Sequence, residues 1–169
     1  NLHVVLGVDR TGLVGDDDVV FLDTGTTALH MAEYLKDSKA LFVTSSIDFA
    51  GRLSAHERHV YVLGGTLKPG TVDIVGAEAL DALRRYNFTK VFLGVSGISI
   101  SQGFTTPDPE AAALKLIAAS RAQSVYVLAD SSKFGRVTAA TILPLERARI
   151  ITDRMPDRKY LDCTDIIAV

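Results

Sequence analysis

Five short apolar runs recur along the chain, and each gives way to glycine, serine, threonine or aspartate. Residues 19–22 end in Asp23-Thr24-Gly25-Thr26-Thr27, residues 40–43 in Thr44-Ser45-Ser46, and residues 59–63 in Gly64-Gly65. Residues 91–95 end in Ser96-Gly97, and residues 124–129 in Asp130-Ser131-Ser132-Lys133. The first run is short, apolar and partly β-branched, as in a strand buried on both faces. Between the runs lie segments with helical spacing. Leu29, Ala32 and Leu35 mark the first, residues 47–53 and 76–83 the next two, and residues 110–121 the last, with Pro109 at its start and Glu110 complementing the helix dipole. Alternating strands and helices predict an α/β domain, a mostly parallel sheet with helices on both faces. Residues 140–143, 149–152 and 166–169 are shorter strand candidates for a sheet edge or a small antiparallel annex.

In such sheets a ligand sits at the carboxyl ends of the strands, which is where the hydroxyl and glycine turns fall. Gly25 lets the backbone approach a ligand, and the unpaired first amides of the helix that follows suit a phosphate. Thr24, Thr26 and Thr27 add hydroxyl donors; the plainer alternative is that Thr24 or Thr26 caps that helix. Lys133 supplies a point charge, and Asp23 and Asp130 can accept hydrogen bonds from sugar hydroxyls. The collection suits an anionic, polyhydroxylated ligand. Lys115 reads as a helix-surface residue, with a place facing the pocket as the lesser alternative, and Arg84-Arg85 and Arg147 to Arg149 read as solvated faces. His30, His56 and His59 lack metal-ligand spacing, so neither a metal nor a cofactor is expected.

With 169 residues, 47% of them hydrophobic, one domain can bury a large core and still present a subunit interface. A formal net charge of −2 and the lack of a lysine–arginine run give no electrostatic footprint for nucleic acid. A single cysteine, Cys163, excludes an internal disulfide. No apolar stretch approaches the roughly 18 residues of a membrane span, and no signal peptide is evident at the start. A soluble cytoplasmic domain is the expectation.

The order of these motifs resembles the effector-sensing domain of DeoR-type bacterial transcriptional regulators. The residues that carry the resemblance are Phe21-Leu22-Asp23-Thr24-Gly25-Thr26-Thr27, Val43-Thr44-Ser45-Ser46, Leu63-Gly64-Gly65, Val91-Phe92-Leu93-Gly94-Val95-Ser96-Gly97-Ile98, Gly103-Phe104-Thr105-Thr106 and Leu128-Ala129-Asp130-Ser131-Ser132-Lys133-Phe134-Gly135. The resemblance implies a fold like those of ribose-5-phosphate isomerases and coenzyme A transferases. It also implies a phosphorylated-sugar effector, a homo-oligomer, and control of DNA binding, as a repressor. The family's winged helix-turn-helix finds no match in these residues, so DNA contact is expected from a domain outside them. Residues 1–17 read as a leader or linker and 18–169 as the sensing domain. The site implied takes in Asp23, Thr24, Gly25, Thr26, Thr27, Thr44, Ser45, Ser46, Gly64, Gly65, Ser96, Gly97, Gly103, Asp130 and Lys133.

Two other readings stand beside this one. An isomerase of the ribose-5-phosphate type needs a carboxylate to shuttle a proton between adjacent carbons, and those enzymes carry acidic residues where this chain has Ser96-Gly97-Ile98-Ser99. Catalysis is therefore not expected. The third reading is an oligomerisation domain with a vestigial pocket, and ligand response separates it from a sensor.

Overall fold

A computed structural model describes residues 12–169. The expected leader is only partly covered: residues 1–11, with His3, lie outside the described residues, while Leu13 and Val14 pack against the apolar interior. In chain order the elements begin with β1 (Val19–Leu22), α1 (Thr26–Leu35), β2 (Leu41–Thr44), α2 (Ile47–Ala55) and β3 (Val60–Val62). They continue with β4 (Thr66–Leu67), β5 (Ile74–Val75), α3 (Ala77–Leu83), β6 (Phe88–Gly94), β7 (Gly97–Ser99), β8 (Gly103–Thr106) and α4 (Pro109–Ser120). The last are β9 (Ala122–Leu128), β10 (Ala140–Leu143), β11 (Arg149–Thr152) and β12 (Ile166–Ala168).

Seven strands form one parallel sheet in the order β12-β11-β9-β6-β1-β2-β3. Alternation along β1 sends Phe21 to one face and Val20 and Leu22 to the other. On the second face, Met31, Ala32 and Leu35 of α1 and Phe49 and Leu53 of α2 cover the sheet together with Phe42, Phe92 and Tyr126. On the first, α3 and α4 pack with Phe88, Val91, Leu93 and Val127, and with Phe104 and Ile142 from a small antiparallel sheet ordered β10-β8-β7. The expected α/β architecture and its annex are both present. β11 and β12 join the parallel sheet, and only β10 among the late strands joins the annex. β3 is an edge, which is why Tyr61 and Val62 are about half exposed, at 51% and 45%.

From β1 the chain moves outward one way to β2 and β3, then returns to β6 and runs the other way to β9, β11 and β12. The order therefore reverses between β1 and β6, and at such a switch point the diverging connections leave a crevice beyond the carboxyl ends. At the opposite end of the same strands Asp18 ties β1 to β6. Its carboxylate accepts from Lys90 Nζ at 2.8 Å and from Thr89 Oγ1 at 2.7 Å. Burial pushes this carboxyl up, but Lys90, the Gly15 amide and Thr89 together hold it below the ordinary aspartate range.

Candidate functional site

The crevice at the switch point is a cavity of about 390 Å³. Its floor is made where β1 ends. The Asp23 amide donates to the Phe92 carbonyl at 3.1 Å, which holds the β1 turn against β6. The Asp23 side chain then turns inward. It accepts from the Gly94 amide at 3.0 Å and pairs with Lys115 Nζ, which also donates to the Gly94 carbonyl at 3.0 Å. Both partners are buried, Asp23 at 2% exposure and Lys115 at 6%. Three elements of distant sequence therefore meet on Gly94. Only glycine fits there, because a Cβ would stand 2.9 Å from the Thr24 carbonyl oxygen.

Beyond Asp23 the backbone reaches φ +133° at Gly25, a value that side-chain-bearing residues rarely adopt. Gly25 is the N-cap of α1 and has no side chain to accept from the first-turn amides. The plainer expectation of a threonine cap is therefore not met, and no side chain caps the positive end of α1. On the far side of the cavity β9 runs into Asp130, whose carboxylate accepts from the Ser132 amide at 3.0 Å and from its hydroxyl, shaping the 3₁₀ turn Ser131–Lys133. Asp153 accepts from the Ser131 amide at 2.7 Å and anchors the turn from β11. Burial works against the Asp153 charge, yet this amide and neighbouring hydroxyls keep its carboxyl below the usual range.

The roof is a hairpin of β4 and β5. Its Lys68 pairs with Asp108, the N-cap of α4, whose side chain also accepts from the Glu110 amide at 3.1 Å. The hydrogen bond from Lys68 holds the Asp108 carboxyl below its ordinary value despite partial burial, helped by the Glu110 and Ala111 amides. Lysines 68, 115 and 133 thus face aspartates 73, 108 and 130 around the cavity. Lys115 and Lys68 are each neutralised by an aspartate, while Lys133 makes no ion pair among the described residues.

Of the residues singled out from sequence, Thr24, Gly25, Thr27, Ser96, Asp130 and Lys133 line this cavity together, and Asp23 lies beneath it. Thr26 opens α1. The others do not line it, and most have structural partners. Thr44 Oγ1 donates to the Leu22 carbonyl at 2.6 Å and accepts from the Ser46 amide. The Ser45 carbonyl accepts from the Ile74 amide, and Ser46 caps α2 by accepting from the Phe49 amide at 3.1 Å. Gly64 precedes Gly65, which is pressed against β5, so that a Cβ would stand 2.7 Å from the Val75 carbonyl oxygen. Gly97 and Gly103 sit in the annex against the Arg136 and Leu143 backbones.

Lys115 is a correction: it is not on the helix surface but inside. Ala112, Lys115, Ala118 and Ala119 recur at helical spacing on the buried stripe of α4, a signal that could have placed it. Lys68, Asp73 and Asp108 were missed as well. The two-residue strands of the hairpin are too short to show alternation.

A family model described as the DeoR C terminal sensor domain matches residues 9–154. The chain is 39% identical over 155 residues to a Bacillus subtilis protein named Uncharacterized HTH-type transcriptional regulator FruR, covering 90% of this chain and 62% of that protein. It is 35% identical over 142 residues to HTH-type transcriptional regulator GlpR of Haloferax volcanii, covering 83% and 56%. Bacillus subtilis HTH-type transcriptional repressor GlcR is 34% identical over 162 residues, covering 95% and 62%. The chain thus spans less than two thirds of the length of these relatives. Among solved structures, ribose 5-phosphate isomerase from Plasmodium falciparum superposes with a TM-score of 0.55 at 15% identity, covering 81% of this chain and 52% of that one. At that identity the likeness is one of fold.

Proposed function

The chain belongs to the family of DeoR C-terminal sensor domains, and we propose that it senses a phosphorylated sugar on behalf of a transcriptional repressor. The observation that carries this reading is the cavity itself: a glycine-capped helix N-terminus and a lysine without an ion pair among the described residues, Lys133, share its wall with hydroxyls and carboxylates. The α1 amides and Lys133 hold the phosphate, and Thr24, Thr27, Ser96 and Asp130 meet the sugar. DNA contact falls to a part of the regulator outside these residues, in a cytoplasmic homo-oligomer. Effector binding then acts by population shift: the quaternary arrangement that binds the sugar phosphate better is enriched, and the DNA-reading arms move with it.

The chain is not proposed to be an isomerase. Residues 96–99, which enter the annex at the end of β6, bring no carboxylate to that edge of the cavity. The test is thermal unfolding against sugar phosphates, each paired with its unphosphorylated parent. A ligand at 100 times its dissociation constant stabilises by about 2.7 kcal/mol, a rise of about 5–10 °C for a domain of this size. A rise with one phosphate and not with its parent is expected. No rise across pentose, hexose, hexosamine and glycerol phosphates would refute the reading in favour of an oligomerisation domain.

A further inference from the structure

Resting on the reading of the cavity as a sugar-phosphate site, we propose that Asp73, on the roof hairpin, determines which sugar is accepted. Its carboxylate would take hydrogen bonds from hydroxyls at the end of the ligand away from the phosphate. The backbone of Asp73 is fixed from several directions. Its carbonyl accepts from the Lys68 amide at 3.0 Å, its amide donates to Thr71 Oγ1 at 3.1 Å, and it forms an antiparallel bridge with Ser46. On either side the Ile47 amide donates to the Val72 carbonyl and the Ile74 amide to the Ser45 carbonyl, so the hairpin is sewn to the end of β2. The pairing of Lys68 with Asp108 ties its other side to α4. Against this fixed backbone, the Asp73 carboxylate accepts no hydrogen bond and makes no ion pair among the described residues, although it lines the cavity. A charged acceptor without a partner among the described residues, carried on a fixed backbone, is what a ligand donor needs.

Its position sets which part of the ligand it meets. Asp73 lines both the main cavity and an adjoining hollow of about 460 Å³ beyond Thr24 and Gly25. Thr27, Ala28 and Lys133 line the main cavity and not the hollow, which places the phosphate-binding groups on the other side of that threshold. The sheet gives a scale. Asp73 is bridged to the end of β2 and Lys133 follows β9, three strand spacings away, or roughly 14 Å at about 4.8 Å per strand. Side chains reaching inward from both ends leave a span for a phosphorylated monosaccharide. The carboxylate also repels a second phosphate, so it orients the ligand as well as reading it.

The test compares the full-length protein with Asp73→Ala and Asp73→Asn by calorimetry. The probes are fructose 1-phosphate, fructose 6-phosphate, glucose 6-phosphate, ribose 5-phosphate, glycerol 3-phosphate and inorganic phosphate. For the sugar phosphate that wild type binds best, Asp73→Ala is expected to weaken binding about 10- to 100-fold, as for loss of charge-assisted hydrogen bonds. The preference among sugars should flatten, while inorganic phosphate binds as well or better in both variants because the repulsion is gone. Asp73→Asn keeps the shape of the side chain, and its unliganded melting temperature should match wild type. Equal affinity of wild type and Asp73→Ala for the preferred sugar phosphate overturns the role of Asp73 and leaves the sensor reading standing. A parallel loss of inorganic phosphate binding also overturns it, by showing a structural effect. Wild type that binds no phosphorylated sugar overturns both.

Discussion

Replacing Lys115 by methionine keeps the aliphatic stem and removes the ammonium that faces Asp23. In the folded protein the Lys115 and Asp23 side chains are 7% and 3% exposed, so the pair is largely desolvated and solvent compensates poorly for the lost charge. The carboxylate would keep a single partner, the Gly94 amide at 3.0 Å. Removing one member of a buried ion pair costs about 3–5 kcal/mol, because the other charge is left desolvated and unpaired. At about 2–4 °C per kcal/mol for a chain of this size, the midpoint of thermal unfolding should fall by about 6–20 °C. The same change opens the cavity floor, so ligand stabilisation should shrink with it. Circular dichroism melts and urea titrations of four proteins form the assay: wild type, Lys115→Met, Asp23→Asn and the double variant. Neutralising both partners removes the stranded charge, so the double variant should be more stable than Lys115→Met alone. If Lys115→Met melts within 2 °C of wild type, or the double variant is no more stable than the single one, the buried-pair argument is wrong.

Lys133→Ala should weaken sugar-phosphate binding by about 1–3 kcal/mol in calorimetry, the range of a charge-assisted hydrogen bond; unchanged affinity removes Lys133 from the site. Asp108→Asn keeps a side chain able to cap α4 but loses the attraction to Lys68, whose side chain is 37% exposed, so solvent screening limits the loss at pH 7 to about 0.5–1 kcal/mol. The Asp108 carboxyl lies below its unfolded value, so its stabilisation is present above about pH 4 and disappears as pH falls through the folded value. The gap between wild type and variant in urea titrations should therefore narrow as pH falls below about 4, and a gap that widens on acidification contradicts the assignment. Gly97→Ala would set a Cβ against the Arg136 carbonyl and 2.6 Å from Thr105 Oγ1. The annex must shift to relieve this, at a cost of about 1–3 kcal/mol in chemical unfolding.

The parallel sheet was legible because its strands are buried and uniformly apolar, and because their ends carry residues with a distinct turn chemistry. Six of the residues named from those ends, from Thr24 to Lys133, do line one cavity. Thr44, Ser45 and Ser46 share the same turn chemistry, yet they hold a neighbouring turn and hairpin in place. From sequence, a hydroxyl that satisfies the backbone cannot be told from one that faces a ligand. The partnership of Lys115 with Asp23 joins residues 92 apart and has no local signature. The roof hairpin escaped for a different reason. Thr66–Leu67 and Ile74–Val75 take their strand geometry from pairing with each other, and the second of them is also bonded at its start to Ser45 and Ser46 of another segment, partners that a two-residue pattern cannot reveal.

The reversal of strand order between β1 and β6 has a consequence for how the domain comes into being. Val20 pairs with Lys90, so joining these two neighbours closes a loop of about 70 residues, at an entropic cost of roughly 4 kcal/mol by the logarithmic loop law. The turn of β1 lies on one side of that seam, and Lys115, Asp130 and Lys133 come from chain made after it. On a ribosome, β1, α1, β2 and α2 can emerge and begin to pack while β1 still has an open edge. Such a nascent chain lacks the cavity until the segment through Lys133 has been made and the seam has closed. The cavity is thereby a property of the finished fold alone, and neither half of the chain can form it by itself.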